Sequence, residues 1–152
     1  MIGLKQFTAL CVQALFPLGL GFAVKTGPAQ SCSGVGGKAR TLFNAVAPMA
    51  LGGIHGLISL VVVAEDVPML IPMGLLRGLK ARIVTGQARV QWGVHPDAFS
   101  DIHYLPSGHC AVDVTDGLKN FKVPPGSADA ALRAWHPGFL QQQAAEAAGI
   151  EA

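Results

Sequence analysis

Two apolar runs, Thr41–Leu51 (TLFNAVAPMAL) and Leu57–Ala64 (LISLVVVA), flank the segment Gly52-Gly53-Ile54-His55-Gly56. That pattern constrains the chain more than any other. Glycines set between apolar runs supply a turn of hairpin length, so the two runs are expected to pair as antiparallel strands. The second run is β-branched, short and continuous, with no helical spacing, and is expected to be a strand buried on both faces. Pro48 cannot donate to a ladder, so it marks an edge or a bulge in the first strand.

Downstream, Glu65-Asp66-Val67-Pro68 turns the chain. The segment Met69–Lys80 (MLIPMGLLRGLK) is expected to hold a short helix, with Pro72 in its first turn and Leu75, Leu76 and Leu79 on one stripe. Gly74 and Gly78 each weaken that helix by roughly 1 kcal/mol relative to alanine, so it needs tertiary packing. Ala81–Val84 and Ala88–Trp92 flank Thr85-Gly86-Gln87 as a second hairpin, in which Val90 and Trp92 share one face. After a looser stretch from Gly93 to Tyr104, Leu105-Pro106-Ser107-Gly108 forms a type I turn. A last short strand runs from His109 to Val114, with Cys110, Val112 and Val114 facing one way.

Three sections follow from the changes in composition. Residues 1–21 form an apolar N-terminal segment, read either as a packed element or as a signal-like segment. As a packed element, Leu10, Ala14, Leu15 and Leu18 fall at helical spacing. Residues 22–117 form a mostly β domain. Residues 118–152 form a linker and tail, with a weak helix capped by Ser127 or Asp129 and broken at His136-Pro137-Gly138. The end, Phe139 to Ala148, reads as a weak terminal helix or a disordered tail.

The net charge of +2 and the lack of any Lys/Arg run exclude a nucleic-acid partner on electrostatic grounds. Gln13 and Pro17 argue against a membrane span in the apolar N-terminus. The expected location is cytoplasmic, with a secreted or membrane-associated β domain as the alternative. Cys11, Cys32 and Cys110 make no C-x-x-C pair, so neither a disulfide framework nor a structural zinc is expected. In SCSGVGGK (residues 31–38) the glycines are out of register for a phosphate loop, and a flexible turn or hairpin tip is expected. His55, His95, His103, His109 and His136 have no metal-ligand spacing; Asp101, His103 and His109 come nearest. Ser107-Gly108-His109 lacks the strand-to-helix elbow of a serine hydrolase. No catalytic, cofactor-binding or metal-ligating residue is assigned.

The blocks Gly34-Val35-Gly36-Gly37, Val46–Gly53, Gly56-Leu57 and Val61-Val62-Val63 resemble the middle of retropepsin-like domains in copia-type retroelement polyproteins of protists. Asp66–Ile71, Gly74-Leu75-Leu76, Leu79 and Ala81-Arg82-Ile83 continue the likeness. Leu105–His109 and Ala111–Val114 are similar to the family's closing strand. The resemblance covers about two-thirds of the chain and implies an incomplete acid-protease fold with one short helix. It also implies a substrate-covering flap over Ala39–Glu65, and as partners a second copy of the chain and an extended polypeptide.

The departures from the family are as informative. A retropepsin subunit contributes one Asp-Thr/Ser-Gly, and two such carboxylates share a proton because like charges that close cannot both ionise. The aspartates here are Asp66, Asp97, Asp101, Asp113, Asp116 and Asp129; none is followed by Ser-Gly or Thr-Gly, and no acidic residue precedes Glu65. Leu70-Ile71-Pro72 stands where many relatives have an apolar-Leu-Gly. Met1 opens directly into what resembles the segment after the catalytic loop, so the expectation is an N-terminally incomplete, degenerate protease module without peptidase activity. The alternatives are a secreted or membrane-tethered β domain, and a fragment of an active endopeptidase whose aspartate lies upstream.

Overall fold

The computed structural model describes residues 1–25, 32–34, 37–122 and 137–149. It is a mixed α/β structure that divides into two compact units. The first comprises Met1–Pro48, Leu57–Leu70 and Pro125–Ala152; the second comprises Met49–Gly56 and Ile71–Pro124.

In the first unit, β1 (Ile2–Gly3) leads into α1 (Leu4–Leu10), which continues as a π-helical turn over Cys11–Leu15 and a 3-10 turn over Phe16–Leu18. Helical structure here corrects the expectation of a mostly β chain with one short helix. The buried stripe is Leu4, Phe7, Cys11 and Leu15. Its spacings of three and four residues suit a helix. The expected stripe is therefore shifted: Leu10 and Ala14 are half-buried and Leu18 is exposed. The chain then forms β2 (Ala23–Lys25), β3 (Cys32–Gly34), β4 (Gly37–Ala39), β5 (Thr41–Leu51) and β6 (Ile54–Val63), with Met49–Leu51 of β5 and Ile54–Gly56 of β6 counted in the second unit. β3 and β4 pair as a small antiparallel hairpin in the glycine-rich segment.

The principal sheet has the order β1-β6-β5-β2, so the two apolar runs do form adjacent strands. β1 pairs in parallel with the end of β6, Ile2 opposite Val62 and Gly3 opposite Val63. This pairing explains where β6 is buried. Ile58 and Leu60 are buried while Ser59 is exposed, so most of the strand has one wet face; only Val62 and Val63 are consecutively covered. Burial on both faces holds only at the end that β1 reaches.

Pro48 has a specific place in this ladder. β2 spans only Asn44–Val46 of β5. Farther along, the Ala50 N–H donates to the Val114 carbonyl at 2.8 Å. By strand alternation Pro48 faces the same way as Ala50, past the end of β2. Its missing N–H therefore interrupts no ladder bond, and β5 is locally an edge there.

Phe7, Phe22, Phe43 and Phe139 form the centre of the first unit's core. Ring centroids are 4.8 Å apart for Phe7 and Phe22, and 5.1 Å apart for Phe43 and Phe139, both edge-to-face. Such pairs add about 0.5–1.5 kcal/mol beyond the area they bury.

In the second unit, α2 (Met73–Gly78) is shorter than the segment Met69–Lys80 that was expected to hold it, and Pro72 stands at its N-cap. β7 (Ala81–Val84), β8 (Arg89–Trp92) and β9 (Phe99–Asp101) form an antiparallel sheet in that order. Val90 and Trp92 share its buried face, as expected, while Ile83 remains 60% exposed. β10 (His103–Tyr104) pairs with β11 (Cys110–Ala111) across the Leu105–Gly108 turn. The last strand is thus two residues long, and Cys110 is exposed. Among the described residues none of the sheets closes into a barrel.

The first unit also holds α3 (Pro137–Ala147), the terminal helix that was one of the two readings of Phe139–Ala148, and it begins two residues earlier, at Pro137. A proline in the first turn is compatible with a helix, because that N–H has no intrahelical partner. Leu140 is buried and Phe139 joins the aromatic cluster, so the segment gains the packing that its composition does not advertise. The linker at 123–127 and the helix through Trp135 lie outside the described residues.

Candidate functional site

The carboxylates are dispersed and several are committed locally. Asp66 accepts a hydrogen bond from the Gln6 side chain. Asp113 accepts from the Thr115 backbone N–H at 2.8 Å and from its hydroxyl at 2.6 Å, closing a turn on itself. Asp101 lies on β9 directly across from Arg89. Asp129 is outside the described residues.

The histidines are also separated by the fold. His103 is on β10, and the Nδ1 of His109 lies 2.9 Å from the Ser107 hydroxyl within its own turn. Among the described residues no three His, Cys, Asp or Glu side chains gather as a metal site. His136 lies outside them. His55 has a role that its isolated position in the sequence does not reveal. Its Nε2 is 2.8 Å from the Gly117 carbonyl, and its Nδ1 accepts from the Lys122 N–H at 3.1 Å. A carbonyl can only accept and an amide can only donate, so these partners select the tautomer protonated on Nε2. The ring also lies against Phe121, with centroids 5.3 Å apart. His55 therefore staples residues 117–122 to the hairpin tip.

Cys11 is fully buried, and desolvation pushes its thiol up to about 12. Such a thiol stays protonated near neutrality and is not a nucleophile.

One exposed sheet edge among the described residues is the outer edge of the three-stranded sheet, at β7. In β7–β8, Gly93 N–H donates to the Lys80 carbonyl at 3.0 Å, and Trp92 N–H turns the other way to Ala98. Alternation from this point directs the backbone groups of Arg82 and Val84 toward β8, and those of Ala81 and Ile83 away from it. Among the described residues no strand lies beyond β7. One sheet face carries Ile83 beside Val90; the other carries Arg82, Gln91 and Phe99 in one row. The Arg89 guanidinium stacks over the Phe99 ring, 4.0 Å from its centroid. From Val67 to Pro96 the only charged residues are Arg77, Lys80, Arg82 and Arg89, and no carboxylate interrupts them.

No helix among the described residues is long and apolar enough to cross a membrane. No family model, curated protein or solved structure matches this chain.

Proposed function

We propose that this chain is a degenerate retropepsin-like module of a retroelement polyprotein, one that binds extended polypeptide without cleaving it. The single observation that carries the reading is a combination in the sequence. The blocks resembling a retropepsin occur in order, yet none of the six aspartates is followed by Thr-Gly or Ser-Gly. The described elements are compatible with that order: a long hairpin, an extended segment, the short helix Met73–Gly78 and the strand Ala81–Val84. Without the paired carboxylates there is no acid and base to activate a water. What such a module retains is sheet edge, and an extended chain binds sheet edge through its backbone. A second copy of the chain is a further partner of the same kind.

The test is incubation of the purified chain with reduced, carboxymethylated lactalbumin between pH 3 and 7. The expected result is retention of the unfolded polypeptide on the immobilised chain, with no cleavage. Cleavage blocked by a statine-type transition-state mimic would overturn the inactivity. Absence of any retention would overturn the binding role.

A further inference from the structure

We infer that the β7 edge is a docking site for an extended, acidic segment in which carboxylates alternate with β-branched residues. The inference deepens the polypeptide-binding reading, on which it rests, by naming the edge and the chemistry of its partner.

Ala81 and Ile83 turn their N–H and C=O groups away from β8, and Ile83 projects an exposed aliphatic side chain. An unpaired strand edge is a template for another strand. The side chains of an added strand fall alternately on the two sheet faces. On one face the added strand meets Ile83, where a valine or isoleucine makes the favourable cross-strand pair. On the other it meets Arg82, where a carboxylate does. Arg77 and Lys80, both exposed, precede the strand and add the same sign of charge. The nearest carboxylate in the sheet, Asp101, lies two strands away on β9, opposite Arg89. The field at the edge is therefore positive, and it selects both the sign and the approach of the partner.

A second copy meets this edge less selectively. Antiparallel self-pairing must match outward residues with outward residues, and two registers do so over three strand positions. One sets Arg82 directly against its own counterpart, where like charges are destabilising; the other sets Ile83 against itself and Arg82 against Val84.

Two fluorescein-labelled octapeptides, one alternating Glu and Val and the other alternating Lys and Val, distinguish the possibilities by anisotropy with the full chain at low salt. The Glu/Val peptide is expected to bind at least about tenfold more tightly, with the difference shrinking as salt is raised. Arg82→Glu is expected to reverse the preference, which mere destabilisation of the fold cannot do. Ile83→Pro removes an outward N–H without touching a bond to β8, and is expected to abolish binding of both peptides. Equal binding of the two peptides, or an unchanged preference in Arg82→Glu, overturns the proposal. If unfolded lactalbumin is still retained in that case, polypeptide binding survives and takes place elsewhere on the chain. If neither peptide nor lactalbumin binds, both readings fall. Should Ile83→Pro fail to fold by circular dichroism, the charge reversal at Arg82 decides alone.

Discussion

Trp92 donates its indole N–H to the hydroxyl of Ser100 across 2.9 Å, and both residues are buried in the three-stranded sheet. Tryptophan brings a large apolar body and one obligatory donor, so its burial depends on an acceptor at the right place. Ser100 is the one described polar residue that is buried. Ser100→Ala leaves the indole donor unsatisfied and is expected to destabilise the fold by about 1–3 kcal/mol. Chemical denaturation followed by Trp fluorescence measures it. A loss within about 0.5 kcal/mol of zero, the range of ordinary surface changes, would show that the bond contributes nothing.

Gly3 is required by the chain that passes it. A Cβ at this position would lie 2.5 Å from the Glu65 carbonyl oxygen and 2.7 Å from the Val67 nitrogen, both backbone atoms. The Gly3 N–H also donates to the Val67 carbonyl at 2.8 Å. Gly3→Ala should therefore push residues 65–67 aside and lower stability by about 1–3 kcal/mol, the usual effect of overpacking. Gly53→Ala provides a contrast, since nothing lies within 4 Å of its Cβ position; its penalty arises from φ +85 alone. Melting temperatures of the two variants separate crowding from backbone strain.

His55→Ala removes the two hydrogen bonds and the ring that hold residues 117–122. The bonds are partly solvent-exposed, so the expected global loss is only about 1 kcal/mol. The local effect is larger and more specific. Hydrogen exchange at the Lys122 amide should accelerate, while exchange in β8 stays as it was. Unchanged protection at Lys122 would mean that the staple is not formed in solution.

Cys11 predicts an alkaline limit to stability. Its folded-state thiol is pushed up to about 12 from the ordinary 9.0 by burial. The native state thus holds this proton more tightly than the unfolded chain does. The contribution is fully present below pH 9 and is lost as pH rises toward 12. Denaturant midpoints of the wild-type chain should fall more between pH 8 and 10.5 than those of Cys11→Ala. Equal falls would show that the thiol plays no part. Alkylation at pH 8 should label the exposed Cys110 while sparing Cys11 in the folded chain.

The elements that were legible in the sequence are those with strong local patterning. The Gly52-Gly53 turn has φ of +57 and +85, values that glycine adopts without penalty, and it joins the two strands that the apolar runs announce. Val90 and Trp92 alternate onto one face and are buried there. Other features depended on partners far along the chain. The stripe through Leu4, Phe7, Cys11 and Leu15 competes with an equally apolar neighbour stripe, and only docking chooses between them. The composition of Phe139–Ala148 does not decide between a weak helix and a disordered tail, because the stabilisation comes from packing of Phe139 and Leu140. The His55 staple is invisible for a related reason: its partners are backbone groups 62 and 67 residues away. Main-chain partners leave no motif in a sequence.

Arg40 joins three distant stretches of the first unit. Its backbone N–H donates to the Glu65 carboxylate at 2.9 Å, and its carbonyl accepts from Ala64. Its guanidinium closes the last turn of α3 on the carbonyls of Glu146 and Ala147, at 3.3 and 2.8 Å. This last contact spans more than a hundred residues, so it closes late in folding, after the entropy of a long loop has been overcome. It also gives the first unit a timetable during synthesis. The hairpin that carries Arg40 emerges long before residue 146 exists, and until then the aromatic cluster lacks Phe139 and keeps an open flank. A nascent chain passes through an interval of exposed phenylalanine that only the arrival of residues 137–147 can bring to a close.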